Sequence, residues 1–154
     1  MSISMDAKAR EKFLAILDDA LDLTIATNRA DGYPQATVVS FVHDGEKIYL
    51  GCSPASQKAQ NMLRDDRVSV ALTAPYKSWD EIRGASIGGR ARRVTETEEL
   101  QHVGALMLAS FPQVAEFMKS GMMEETFVFR IDPEVISILD YSLGFGHTEL
   151  HDAA

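Results

Sequence analysis

Two tight-turn sequences that follow closely on each other constrain the fold of this chain most strongly. Asp31-Gly32 separates two β-rich runs, Leu23 to Arg29 and Gln35 to His43, and Asp44-Gly45-Glu46 separates the second run from KIYLGC. Asp-Gly between β-branched runs is typical of a hairpin turn. Hairpins join antiparallel strands, whereas parallel strands need a long crossover. The sequence therefore predicts an antiparallel meander of three strands.

The rest of the chain adds short helices and further strands to this meander. Apolar spacing and capping residues predict helices over Asp6 to Leu21, from Ser56 to about Asp65, over Glu96 to Ser110 with Thr95 as cap, and over Pro112 to Met118. Strands are predicted over Arg67 to Ala74, Ala85 to Thr95, Thr126 to Ile131 and Val135 to Ser142. Short strands without βαβ alternation predict a mainly β fold, a small closed or nearly closed antiparallel β-barrel with peripheral helices.

The predicted barrel limits where a ligand can bind. Side chains fill the interior of a barrel of this size, so a ligand is expected outside it or between subunits. The Gly88-Gly89 pair predicts a bulge or a close backbone approach. We expect one domain over residues 1–154, with an N-terminal helix within 1–22 and a C-terminal tail over 143–154 that is frayed at its end.

Charge and cysteine content exclude several classes of partner. The net charge of −8 makes duplex nucleic acid or an anionic membrane surface an unfavourable partner. A single cysteine, Cys52, excludes an intrachain disulfide and a multi-cysteine zinc site, and no metal site is expected. A single cysteine fits a reducing compartment, so we expect a cytoplasmic protein, and no apolar stretch is long enough to span a bilayer.

The segment from Tyr49 to Asn61 contains the best candidate for a binding site. Ser56 is a good N-cap, and the free N–H groups of a helix start attract anions. Lys58 adds a cation, and Ser53, Ser56 and Gln57 add neutral donors. The residues alone leave two interpretations open, a phosphate site and an ordinary capped surface helix.

Element order and residues together resemble the pyridoxamine 5'-phosphate oxidase-like superfamily of FMN-binding split barrels. The resemblance is carried by TVVSFVHDGEKIYLGC, by Ser56-Gln57-Lys58 at the following helix start, and by the strand DDRVSVAL. It covers roughly Leu23 to Val94. It implies a homodimer with two FMN molecules in grooves at the interface.

The resemblance also implies which residues would contact the cofactor. The second strand would line the flavin edge with Ala36, Thr37, Val38, Val39, Ser40 and Phe41. The third strand would contribute Gly51 and Cys52, and the phosphate would lie against Ser53, Ser56, Gln57 and Lys58. Trp79 would stack on flavin or substrate across the interface, or else plug the end of the barrel.

This chain departs from the oxidases at several of these positions. Ala36 and Gln57 stand where the oxidases have arginines, and Gly84 stands where they have a glutamine. Each missing arginine removes a phosphate contact worth roughly 1.5–3 kcal/mol. We therefore expect weaker FMN binding, or compensation by Lys77, Arg83 or Arg90, and we do not expect pyridoxamine phosphate oxidase activity.

The expected function is that of an FMN-dependent oxidoreductase that passes a hydride through flavin N5 to a small-molecule acceptor. No catalytic side chain can be named, because the flavin itself carries the redox chemistry. Three alternatives stay open: a haem-handling barrel in which His147 ligates iron, a deazaflavin-dependent reductase, and a flavin-binding module without turnover. His147 lies in a glycine-rich tail for which packing on the partner subunit is the leading interpretation, with a flavin contact and an axial haem ligand as the other two.

Overall fold

The structure, a computed structural model, describes residues 3–153, apart from the side chains of residues 3, 122 and 123. The strands within these residues are β1 (Ile3–Ser4), β2 (Leu23–Asn28), β3 (Pro34–Val39), β4 (Val42–Asp44), β5 (Lys47–Cys52), β6 (Arg67–Thr73), β7 (Arg83–Arg93), β8 (Phe127–Asp140) and β9 (Thr148–Asp152). The helices are α1 (Ala7–Asp19), α2 (Gln57–Arg64), α3 (Thr97–Ser110) and α4 (Val114–Ser120), with 3₁₀ turns at Trp79–Glu81, Met122–Glu125 and Tyr141–Leu143. All strand pairs are antiparallel except β1–β9, and the sheet curls into a half-barrel. The predicted mainly β fold with peripheral helices is confirmed.

The long strand β8 organises the sheet. It pairs with β7 along nearly its whole length. On its other side its first half pairs with β5 and its second half with β9. The sheet order is β1-β9-β8-β7-β6-β2-β3, and the β4–β5 hairpin branches from β8. β3 is therefore an edge strand.

The prediction of two separate strands joined at Asp132-Pro133 is wrong, because both belong to β8. The register with β7 shifts between Gly88 and Gly89, so that Glu134 is the extra residue of a bulge. Proline lacks the N–H that a regular ladder needs, and a bulge tolerates it. A Cβ at Gly89 would lie 2.5 Å from the Asp132 carbonyl oxygen. Both predictions for the glycine pair, a bulge and a close backbone approach, are confirmed.

The predicted strand Gln35 to His43 is divided into β3 and β4. The three predicted strands therefore form two separate hairpins and not one meander. β3 pairs with β2, whereas β4 pairs with β5. Phe41 and Val42 are both buried, although successive residues of a regular strand point to opposite faces. The chain bends here because Phe41 packs in the main core and Val42 in a second cluster beneath α3.

The main core lies between the inner sheet face, α1 and α2. Phe13, Ile16 and Leu17 of α1 are buried as predicted, but Leu21 is 71% exposed because α1 ends before it. On α2, Leu63 is 51% exposed, and the polar Asn61 is fully buried instead. The predicted apolar faces of both helices are thus right in part.

Two predictions are corrected, one for the start of α3 and one for the C-terminal residues. Thr95 does not cap α3; Glu96 occupies the N-cap position and makes no capping bond through its side chain. The expected frayed end instead contains β9, which pairs with β8 on one side and β1 on the other. Backbone pairing on both sides holds these residues in place.

Candidate functional site

The start of α2 has the local geometry that the sequence predicts. Ser56 Oγ accepts a hydrogen bond from the Ala59 N–H at 3.3 Å and donates to the Ser53 carbonyl oxygen at 2.7 Å. Within the described residues, the backbone N–H groups of Gln57 and Lys58 have no acceptor. Two free donors at the positive end of the helix therefore face outward.

A buried amide joins α2 to the start of β3. Asn61 Nδ2 donates to Thr27 Oγ1 at 3.0 Å and to Gln35 Oε1 at 3.2 Å. Asn61 Oδ1 accepts from Gln57 Nε2 at 2.8 Å. The chain of contacts from Gln57 through Asn61 to Gln35 links the start of α2 to the residue that precedes Ala36 on β3.

The residues of β3 alternate between two environments. Ala36, Val38 and Ser40 are exposed, and Val38 is 69% exposed. Thr37 and Val39 are half-buried on the opposite face, the face on which Gln35 meets Asn61. The Thr37 hydroxyl is buried and has no hydrogen-bond partner among the described residues. Such an orphaned group is uncommon in folded proteins and indicates a contact that the protein alone does not supply.

The end of β5 places Gly51 and Cys52 beside the helix start. Cys52 is buried in the main core, and this burial raises the pKa of its thiol, although its hydrogen bond with Ser56 and the charge of Lys58 act in the opposite direction. A thiol in this state is a packing group, because nucleophilicity needs the thiolate. Lys58 is half-buried and forms no ion pair within the described residues.

Trp79 lies at the other end of the strands from α2. The loop after β6 carries it, and the ends of β6 and β2 that adjoin this loop are opposite to the end where Asn61 bonds Thr27. Its ring is 5.6 Å from that of Phe145, which is 5.3 Å from that of Tyr141. Trp79 is 69% exposed and Phe145 79% exposed. One chain therefore does not bring Trp79 to the phosphate segment, and its predicted role requires a second copy.

Two of the three expected compensating cations are engaged elsewhere. Arg83 pairs with Asp19 at 2.8 Å. Arg90 pairs with Asp66 at 2.7 Å and with Glu134 at 3.2 Å. Arg83 and Arg90 are therefore not free to bind a phosphate at the start of α2, and Lys58 is the cation nearest to it in the sequence.

His147 lies just before β9 and is half-buried. Its Nε2 is 3.1 Å from Glu149 Oε1, and this contact is the main cause that lowers the pKa of Glu149. No group of three or more His, Cys, Asp or Glu residues in the described part of the chain could hold a metal ion. No helix there is long and apolar enough to cross a membrane.

The outer face of the sheet carries an unbroken row of uncharged residues. Cross-strand pairing connects six neighbours from β3 to β9, namely Val38, Thr24, Ala71, Ser86, Ser137 and Leu150. A second row on the same face begins with Ala36, Ala26, Ser69 and Gly88. A solvated sheet face normally carries polar and charged side chains. This outer face is therefore suited to contact with another surface.

Sequence reasoning named Thr37 but missed Asn61 and Gln35 as parts of the site. Asn61 was detectable in principle, because it lies on the predicted buried side of α2, between Ala59 and Met62. A buried amide must find partners. Its partners on β2 and β3 depend on how α2 packs, which the sequence does not state.

Comparison with known proteins places this geometry in a family. The family model for pyridoxamine 5'-phosphate oxidase matches residues 9–140. The chain therefore belongs to the pyridoxamine 5'-phosphate oxidase family, as the sequence resemblance predicts.

Solved structures with the same fold carry different descriptions. A conserved hypothetical protein from Mycobacterium tuberculosis is 28% identical, with a TM-score of 0.78 over 95% of this chain and 92% of that one. A heme binding protein from Mycobacterium smegmatis is 21% identical, with a TM-score of 0.80 over 96% of this chain and 59% of that one. The heme storage protein HutZ from Vibrio cholerae is 20% identical, with a TM-score of 0.66 over 86% of this chain and 92% of that one. No protein with a curated description matches the chain.

Proposed function

We propose that this protein is an FMN-binding oxidoreductase that works as a homodimer. One observation carries the proposal: the Gln57–Asn61–Gln35 contacts hold the start of α2 against β3. A ligand with a phosphate at one end and a planar ring at the other needs an anion site and an adjoining extended backbone. This pair of elements supplies both.

The phosphate would be held without arginine. The free N–H groups of Gln57 and Lys58 and the Lys58 ammonium would contact it directly, with the Ser53 hydroxyl beside them. Gln57 donates its side-chain amide to Asn61, so its role is to position the helix start. A point charge on a flexible stem binds phosphate less specifically than a bidentate guanidinium. We therefore expect FMN to be bound more weakly than by family members that have both arginines.

The buried Thr37 hydroxyl supports a ligand along β3. It is an unpartnered polar group on the strand that would line the flavin edge. The free edge of β3 also offers backbone donors and acceptors to a flavin ring.

The outer face supports the homodimer. Its first row of uncharged side chains runs across six strands, and the second row, from Ala36 to Gly88, adds small side chains across four, so that a second copy can approach closely. The ion pairs of Arg90 with Asp66 and Glu134 mark where charged residues resume. In such a dimer, Trp79 and Phe145 of one copy would lie over the ligand of the other.

When bound, FMN supplies hydride transfer through N5, and the chain's own residues bind and orient it. Ala36 and Val38 would present an apolar surface that excludes water from one side of the ring. The electron acceptor is a small molecule that enters on the side of the aromatic cluster.

The absorption spectrum of the protein as purified tests this function. A flavin band, with release of FMN on denaturation as identified by mass, is the expected result, followed by bleaching under a reduced nicotinamide. Release of a deazaflavin would identify that molecule as the cofactor, with hydride transfer still the reaction. Binding of FMN without turnover would mean that the protein is a flavin-binding module without enzymatic activity. A colourless protein that takes up no FMN in titration contradicts the proposal.

Haem binding is the second candidate, because relatives of this fold are described as heme binding and heme storage proteins. His147 favours it in one respect: within the described residues its Nδ1 has no partner, while Glu149 bonds Nε2 and would orient the ring. A Soret band that appears with haem and is lost in His147→Ala, but kept in His102→Ala, would decide for it. No Soret band on addition of haem would exclude it.

A further inference from the structure

The side of the barrel covered by α3 has an apolar surface that the core does not use. The sequence predicts Leu100, Val103, Leu106, Met107 and Leu108 as its buried face. Only Val103 is buried, whereas Leu100 is 37% and Leu108 41% exposed. α3 is therefore fixed on the sheet with part of its apolar face open.

This open face forms one wall of a groove of about 680 Å³. Val94, Phe127 and Val128 also line it, as does Met118 of α4, whose Cε would lie 3.6 Å from a Cβ at Gly104 of α3. The lining is mainly aliphatic and thioether side chains. Sites for small ligands in proteins have volumes of roughly 300–1,000 Å³ and mostly apolar walls with few polar groups. The groove matches that description.

A single unpaired guanidinium stands at the groove. The centre of the Arg93 guanidinium lies 3.5 Å from the centroid of the Phe127 ring. No carboxylate in the described part of the chain is within ion-pair distance of it, whereas its neighbour Arg92 pairs with Asp132 at 3.4 Å. Arginine stays protonated at any relevant pH, and its donors match a carboxylate in geometry. In a protein of net charge −8, this cation is left available for an anion.

We propose that this groove, which we call the α3 groove, binds an aliphatic monocarboxylate, with its acid group on Arg93 and its chain along α3. Leu100, Met107 and Leu108 suit a flexible alkyl chain. Phe127 is the aromatic residue of the lining, and Arg93 covers one face of its ring, which leaves less stacking surface for a planar ligand. Glu124 also lines the groove and disfavours a second negative charge on the ligand.

The α3 groove borders the proposed phosphate site without coinciding with it. A Cβ at Gly51 would lie 3.1 Å from Thr126 Cγ2 and 4.0 Å from Met107 Cε, and both residues line the groove. The cation assigned to phosphate is Lys58, on α2, and the cation of the groove is Arg93, on β7. Substitution of Lys58 should therefore affect only the phosphate site, and substitution of Arg93 only the α3 groove.

Titration calorimetry with decanoate below its micelle concentration tests the proposal. We expect one decanoate per chain, and a dissociation constant raised about tenfold or more in Arg93→Gln, because a charge-assisted contact is lost. Arg92→Gln is the matched control and leaves binding unchanged, because Arg92 pairs with Asp132. Leu108→Ser weakens binding through the apolar wall, and Glu124→Gln strengthens it. Neutral decanamide binds less tightly and does not distinguish Arg93→Gln from the wild type.

Other results would overturn the proposal. Equal binding of decanoate to the wild type and Arg93→Gln means non-specific apolar contact. Displacement of decanoate by FMN, or loss of decanoate binding in Lys58→Gln, places decanoate in the cofactor site and not in the groove. Dissociation of a dimer on decanoate binding, seen by sedimentation, assigns the groove to a second copy of the chain. Failure of FMN to bind leaves the decanoate result unaffected, so the two proposals fail independently.

Discussion

Two of the helices that cover the barrel, α2 and α3, are held to it by different polar contacts. α2 is fixed by the buried neutral amide of Asn61, and its last residue, Arg64, donates to the Asn28 carbonyl oxygen. Ala59 and Met62 are fully buried in the core. α3 is fixed by charge: Glu99 accepts from Arg130 at 2.9 and 3.0 Å and from the Tyr49 hydroxyl at 2.7 Å. The difference indicates two uses. Anchoring through Asn61 and Arg64, away from the helix start, leaves the start of α2 and Lys58 available to an anion, and the ion pair of Glu99 holds α3 in place while its apolar face stays open.

The largest effect is expected from removing the amide that anchors α2. Asn61→Leu leaves the Thr27 hydroxyl and the Gln35 and Gln57 amides with a lost partner, and we expect a loss of roughly 3 kcal/mol in the free energy of unfolding. Urea denaturation measures it, with Leu63→Gln, at a position of the same helix that is 51% exposed, as the control. A loss below roughly 1 kcal/mol would show that the amide network does not fix α2.

Each bond that anchors α3 should contribute less to the free energy of unfolding than the Asn61 amide does. Tyr49→Phe removes the hydroxyl that donates to Glu99 but leaves Arg130 in place, so we expect a loss of roughly 1.5 kcal/mol. Tyr76→Phe, at a residue that is 49% exposed, is the control and should be neutral. If both variants unfold at the same urea concentration as the wild type, the bond to Glu99 contributes nothing.

Charged anchoring should also make stability depend on pH. The hydrogen bond from Tyr49, followed by Arg130, lowers the pKa of Glu99, and Ser142 and Lys12 lower that of Asp140 against the effect of burial. The unfolded chain then binds more protons, so this stability is present above the unfolded pKa of roughly 4 and is lost as pH falls. Unfolding free energies measured from pH 6 to 3 should decline.

The control for this pH dependence is a substitution at the same network. Glu99→Gln should flatten the decline, while Glu116→Gln, at an exposed position of α4, should leave its slope unchanged. An unchanged slope in Glu99→Gln would mean that other carboxylates account for the acid sensitivity.

The sequence predicts those parts of the structure that depend on residues close together along the chain. The bounds of β5 and the cap at Ser56 follow from residues that are neighbours in sequence, as does the Asp-Gly turn before β3. The division between β3 and β4 was not predictable, because it depends on Phe41 and Val42 entering different clusters. β9 was missed because its strand is defined by β8 and β1 as partners more than by its own composition.

The smallest change in stability separates capping from anion binding at one residue. Ser56→Ala should cost about 1 kcal/mol through the lost cap, whereas Ser56→Asp keeps an acceptor for the Ala59 N–H and costs less. For FMN the order reverses, because the aspartate adds a negative charge beside the phosphate and should weaken binding about tenfold. Thermal unfolding and flavin fluorescence measured on both variants check this. An Ser56→Asp variant that binds FMN as well as wild type would place the phosphate elsewhere.

The most direct test of the central claim compares FMN with riboflavin, which lacks the phosphate, in the wild type and in Lys58→Gln. If the start of α2 holds the phosphate, the wild type binds FMN at least about tenfold more tightly than riboflavin, and Lys58→Gln loses most of that difference while its riboflavin affinity stays the same. Lys119→Gln, on α4, should keep the full difference. Equal affinities for FMN and riboflavin in the wild type, or a full difference in Lys58→Gln, would contradict the account.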